Sequence, residues 1–307
     1  MPKLDASHVD DPEGERYWVI YVHGGYFRDP AVTSSSFYPA LAQLVSSNSH
    51  VHHRFRRHED SSPDGRDVTS GIAGYASLNY RLSPHSETKP QEIDKTSSYE
   101  ARNAQWPDHI HDVLTAIKHL QTKYGFGERY LLVGHSVGAT MAVLSTLAAQ
   151  KTFTNVGSQE GSELPTIAPP VAVLGVSGIY DFALLHDSFP SYGDLTRNAI
   201  PDAKTDVAAS PARYSSDDYV NIWAGGNNGL SEHSKKRALV LAHSHDDGLV
   251  DWKQLKAMEK VFAAESAITV KVIQMTGKHN DIWERGTELA RAILEAIRVM
   301  RDLEQKH

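Results

Sequence analysis

The sequence contains no cysteine. Disulfides and thiolate metal sites are therefore excluded, and a reducing compartment suits the chain. No uninterrupted apolar stretch is long enough to cross a bilayer, so no membrane partner is expected. Positive charge is in deficit: 31 Lys and Arg against 38 Asp and Glu leave a formal net charge of -7. That balance disfavours general binding to nucleic acid or anionic lipid. The first residues, "MPKLDASHVDDPEGERY", have neither an apolar core nor an Arg-rich amphipathic face. No secretory or mitochondrial signal is read there, and a cytoplasmic protein is expected. No G-x-G-x-x-G opens a helix and no G-x-x-x-x-G-K-[ST] occurs, so no nucleotide cofactor is expected, nor any other.

Histidine-rich stretches do not reach a metal-site pattern. His52, His53 and His58 sit among Arg54, Arg56 and Arg57 and read as a basic surface loop. Asp108, His109, His111 and Asp112 open a helical stretch, where first-turn acids favour the helix dipole. No H-E-x-x-H accompanies either group, so no metal site is assigned.

What the 307 residues do contain is a series of compact, β-branched apolar runs. "YWVIYVHGG", "GIAGYASLNYRLSP", "RYLLVG", "VAVLGVSGIYD", "RALVLAHS" and "ITVKVIQMTG" read as six strands, mostly continuous rather than alternating. Continuous runs indicate a mostly parallel sheet covered on both faces. Helical patterns lie between them. Ile110, Val113, Leu114, Ile117, Leu120 and Tyr124 share one face, with Pro107 before and Gly125 after. A last stripe runs through Leu289, Ile293, Ile297 and Met300. Strand–helix alternation predicts a doubly wound α/β fold in a single domain, 1–307. A polar insertion is read near 46–70, and the segment near 186–236 has the length for a small cap.

Gly134-His135-Ser136-Val137-Gly138 fits G-x-S-x-G between a strong strand and a small-residue helix. Such an elbow lifts a serine hydroxyl clear of the sheet, and bulk two residues away on either side would clash. It also aims the Val137 amide at a reacting carbonyl. The serine needs a base that follows an acid in the chain. His279, in the loop after the sixth strand, fits; His307 ends a helix and fits poorly. Three acids follow the fifth strand: Asp246, Asp247 and Asp251. Asp247 is favoured by the D-G-L-V-D spacing, with Asp246 second. His23-Gly24-Gly25-Tyr26 ends the first strand and matches an HGGG-type oxyanion motif. The expected donors are the amides of Gly25, Tyr26 and Val137, with Gly24 assisting the turn. His23 is expected to hold the loop by a hydrogen bond.

"HGGYFRDP", "SLNYRLSPH", "GHSVGAT", "HSHDD" and "GKHND" together resemble the kynurenine formamidases of fungi and animals. These are α/β-hydrolases related to hormone-sensitive-lipase-type esterases, and the resemblance spans about Tyr17 to Trp283. It implies an α/β-hydrolase fold, with Ser136 as nucleophile, Asp247 as acid and His279 as base. The family's HGGxW motif falls on His23 to Phe27, so Phe27 stands in place of Trp. An aromatic wall is kept and an indole donor is lost. The implied reaction is hydrolysis of N-formyl-L-kynurenine to L-kynurenine and formate, in tryptophan breakdown toward NAD. The implied partner is a small aryl formamide, with Tyr26, Phe27 and Trp283 as walls for its ring; a homodimer is allowed. The same three residues would also serve a broad small-acyl carboxylesterase. A non-catalytic hydrolase-fold binding protein is disfavoured because every triad position is occupied.

Overall fold

The computed structural model describes residues 16–46, 68–85, 91–97, 100–148, 164–225, 235–264 and 267–305. The stretch read as an insertion lies, from 47 to 67, outside the described residues, as does His307. All six sequence-read strands form: β1 Tyr17–Val22, β2 Ile72–Leu78, β3 Tyr130–His135, β4 Ala172–Val176, β5 Arg237–Ser244 and β6 Ile268–Met275. They make one sheet in the order β2-β1-β3-β4-β5-β6, and every described pairing is parallel.

Continuity of the apolar runs follows from a period of two across a sheet covered twice. Val19 and Tyr21 pack into one core cluster, while Ile20 and Val22 pack into the other. Leu131 and Val133 likewise oppose Leu132. One face is covered by α1 (Tyr38–Val45), α9 (Asp281–Arg285) and α10 (Thr287–Gln305), the last through Leu289, Ile293, Ile297 and Met300. The other is covered by α2 (Asp108–Tyr124), α3 (Val137–Ser145) and α8 (Trp252–Val261). Helix α2 ends at Gly125, whose φ of 68° is left-handed and suits a residue without Cβ. Strand β6 departs from the pattern. It lies at the sheet edge, and alternate residues such as Lys271 are exposed.

The chain passes from β1 outward to β2, then returns to place β3 on the other side of β1. That reversal opens a crevice at the carboxyl ends of β1 and β3, where open α/β sheets bind ligands. The long connection from β4 to β5 carries α4 (Phe182–Ser188), α5 (Tyr192–Ala199), α6 (Ala203–Ala208) and α7 (Ser216–Trp223). Among the described residues no helix is long and apolar enough to cross a membrane.

Candidate active site

Ser136 leaves β3 with φ 56° and ψ −125°, a left-handed conformation costly for a residue with a Cβ. Helix α3 starts at the next residue. The flanking glycines are required by contact. A Cβ on Gly134 would run into the Gly138 carbonyl, and one on Gly138 into the carbonyl of Val22 and within 2.6 Å of the His23 oxygen. The clash is with backbone, which cannot rotate away. Gly138→Ala is therefore expected to destabilise the fold by roughly 1–3 kcal/mol or more, as forced overpacking does. Chemical denaturation would read this as a lowered midpoint at unchanged slope.

His279 follows β6 and is 6% exposed. Its Nδ1 lies 2.9 Å from both carboxylate oxygens of Asp247. Nδ1 thus carries the proton and Nε2 keeps its lone pair. The backbone of His279 is held at two points: its N–H donates to the Asp247 carbonyl at 3.0 Å, and its carbonyl accepts from His135 Nε2 at 3.2 Å. The role of His135 had no sequence signal beyond its place beside the serine. Burial pushes the His135 imidazole well below its ordinary value, so it stays neutral and keeps this bond. The three acids separate cleanly. Asp246 is exposed, and Asp251 caps α8 by accepting from the Lys253 amide at 2.9 Å. Asp247 Oδ1 accepts from the amides of Val250 at 2.7 Å and Leu249 at 3.1 Å.

Burial alone would raise the Asp247 carboxyl; the hydrogen bond and charge of His279 and the Val250 amide outweigh it and hold the group down at about 2. A depressed carboxyl contributes stability that is complete above its unfolded value, 3.8, and lost as pH falls through the folded one. The stability difference between wild type and Asp247→Asn is thus expected to be flat above about pH 5 and to narrow below pH 4. Denaturant titrations at a series of pH values would show it.

The loop after β1 reaches this elbow. A Cβ on Gly24 would lie 2.9 Å from His135 Nδ1 and 3.0 Å from Ser136 Cβ, so only glycine lets the two motifs touch. His23 holds the loop: its Nδ1 donates to the Gly24 carbonyl at 3.0 Å, its ring stacks on Tyr80 at 4.3 Å, and Tyr80 Oη donates to Gly24 O at 2.6 Å. Burial lowers His23 to about 4, so it is neutral. Among the described residues the amides of Gly25 and Tyr26 have no intramolecular acceptor. The Val137 amide opens α3, where the first turn leaves N–H groups unpaired.

A model of the "Alpha/beta hydrolase family" matches residues 19–292. The chain belongs to the alpha/beta hydrolase family. This hydrolase is 32% identical over 282 residues to the kynurenine formamidase avaC of Aspergillus versicolor, with 88% of this chain and 84% of the relative covered. It is 30% identical to the kynurenine formamidase-like hydrolase fscH of Fusarium equiseti, covering 97% of this chain and 87% of the relative. The kynurenine formamidase of Saccharomyces cerevisiae is 27% identical over 93% of this chain and 90% of its own. Among solved structures, a hormone-sensitive lipase from a metagenome library superposes with a TM-score of 0.55 at 14% identity, over 92% of this chain and 78% of that one. That likeness concerns the fold.

The hydrolase has a cavity of about 230 Å³ lined by both Ser136 and His279. Tyr26, Tyr192 and Trp283 supply its aromatic wall, with the two tyrosine rings 5.0 Å apart. Tyr192 was missed from sequence because it enters from α5, in the segment read as a cap. Tyr26 Oη and Thr196 Oγ1 tie that helix to the loop after β1 at 2.6 Å. Phe27 requires a correction: it is fully buried and does not line the cavity. Tyr26 and Phe27 are both left-handed, at φ 50° and 64°. The loop turns the Phe27 ring inward against His109 at 4.8 Å, Trp106 at 6.2 Å and Phe182 at 6.2 Å. The acid and histidine group at the start of α2 is spoken for as well. Asp112 takes Arg81 at 2.8 Å, and His109 Nε2 meets Ser83 Oγ at 2.9 Å.

Proposed function

We propose that this hydrolase cleaves N-formyl-L-kynurenine to L-kynurenine and formate through a formyl-enzyme on Ser136. The observation that carries the reading is the His279–Asp247 pair set on the same cavity as Ser136, beside acceptor-free amides. The kynurenine formamidases among its relatives supply the substrate class.

Ser136 Oγ attacks the formyl carbon as its proton passes to His279 Nε2. The carbonyl oxygen becomes an oxyanion facing the amides of Gly25, Tyr26 and Val137. Losing one such donor typically costs about 10²–10³ in rate. Asp247 keeps the imidazole in its working tautomer and stabilises the imidazolium without taking the proton. The C–N bond then breaks as His279 protonates the departing aryl amine. That amine leaves more readily than an alkyl amine because its lone pair delocalises into the ring. Water, deprotonated by His279, attacks the formyl ester; formate leaves and Ser136 regains its proton. Tyr26, Tyr192 and Trp283 bracket the aryl ring, and α5 covers it.

The test compares kcat/KM on N-formyl-L-kynurenine with that on a p-nitrophenyl ester series of increasing acyl length. The formamide is expected to be the best substrate, with activity falling steeply beyond the smallest acyl groups. Equal or better turnover of long-chain esters would make the protein a broad carboxylesterase instead.

A further inference from the structure

The formyl carbon and the aryl ring account for one end of the substrate assigned above. The other end, an α-amino acid, carries a carboxylate that needs a cation. Among the described residues, Arg28 is the sole Arg or Lys lining the cavity that holds Ser136 and His279. It is half-buried, and among the described residues it makes no ion pair or side-chain hydrogen bond. Its neighbour Asp29 is turned to its own loop, accepting from the Ala31 amide at 2.9 Å. The Arg28 backbone is fixed, since its N–H donates to the Gly25 carbonyl at 3.0 Å within the oxyanion loop. Partial burial works against the guanidinium charge, and Asp29 opposes that effect.

A half-buried guanidinium left without a carboxylate is an unspent binding group. Desolvation has been partly incurred, and the planar fork remains open for a bidentate anion. Burial keeps the imidazoles of His23 and His135 neutral, so neither serves as the cation, and His85, which also lines the cavity, lacks the permanent charge of a guanidinium. We propose that Arg28 binds the α-carboxylate of the substrate, making this a hydrolase selective for aryl formamides that bear a free carboxylate. This rests on the formamidase reading, and it assigns Arg28 a specificity role rather than a part in bond cleavage. Asp29 beside it disfavours a second anion and leaves room for the α-ammonium group.

The experiment is calorimetric titration of the wild type, Arg28→Gln and Arg28→Lys with L-kynurenine and with its decarboxylated amine, kynuramine. The two probes share the aryl ketone and the ammonium group and differ in the carboxylate alone. The wild type is expected to bind L-kynurenine about 10–100-fold more tightly, as a charge-assisted bond of this kind gives. Arg28→Gln should bring that ratio close to one, and Arg28→Lys should restore part of it. The proposal is overturned by a wild-type ratio near one, by no detectable L-kynurenine binding, or by an Arg28→Gln ratio equal to that of the wild type. Binding needs no turnover, so the two readings fail separately. Carboxylate preference without formamide hydrolysis would retire the formamidase assignment and leave Arg28 in place. Formamide hydrolysis without that preference would do the reverse.

Discussion

Ser136→Ala is expected to lower kcat for N-formyl-L-kynurenine by about 10⁴–10⁶-fold while the protein remains folded. Alanine keeps the Cβ that the elbow already accommodates at φ 56°, so the backbone need not change. The cavity, the Gly25 and Tyr26 amides and the His279–Asp247 pair all survive. What is lost is the atom that bonds to the formyl carbon in the proposed mechanism. Substrate binding should therefore persist, and a titration of the variant with N-formyl-L-kynurenine should give saturable binding without formate release. A loss of binding that matched the loss of turnover would point to collapse of the site instead.

Asp247→Asn should cost about 10⁴-fold in kcat, for a reason visible in the hydrogen bonds. Oδ1 is claimed by the amides of Val250 and Leu249. An asparagine would direct its one oxygen there and turn its NH2 toward His279 Nδ1. The imidazole would then accept at Nδ1 and carry its proton on Nε2, where it cannot take the serine proton. Asp246→Asn and Asp251→Asn should stay near the wild-type rate, because one carboxylate is exposed and the other caps α8 in a role asparagine fills. A near-normal rate for Asp247→Asn would move the acid to one of its neighbours. Because the Asp247 carboxyl is held down at about 2, any fall in wild-type activity between pH 7 and 5 arises from another group.

The sheet was legible because burial on both faces removes the need for alternation, and each strand announced itself as a short run closed by glycine, proline or a polar turn. Edge strand β6 was read as a continuous run, but at the sheet edge Thr269 and Lys271 reach solvent on the face where Ile273 and Met275 stay buried, and the Ile-Thr-Val-Lys-Val alternation carries that signal. The elbow was legible from its glycines, whose absent side chains are a steric necessity at fixed spacing. The D-G-L-V-D spacing favoured Asp247, but three nearby acids differ only in where the turn after β5 points them. Phe27 was misplaced because its direction depends on two successive left-handed residues. Neither is a glycine, so sequence offered no cue. Tyr192 was missed for another reason: it lies far along the chain from both motifs, and only the packing of α5 over the cavity brings it to them.

Everything in the proposed mechanism passes through one hydroxyl, and a fluorophosphonate probe addresses it directly. Such a probe reacts with a serine only where a neighbouring base and oxyanion amides activate it. Peptide mapping of the labelled wild type should find a single adduct, on Ser136, and none in Ser136→Ala. An adduct on another residue, or undiminished labelling of Ser136→Ala, would contradict the account.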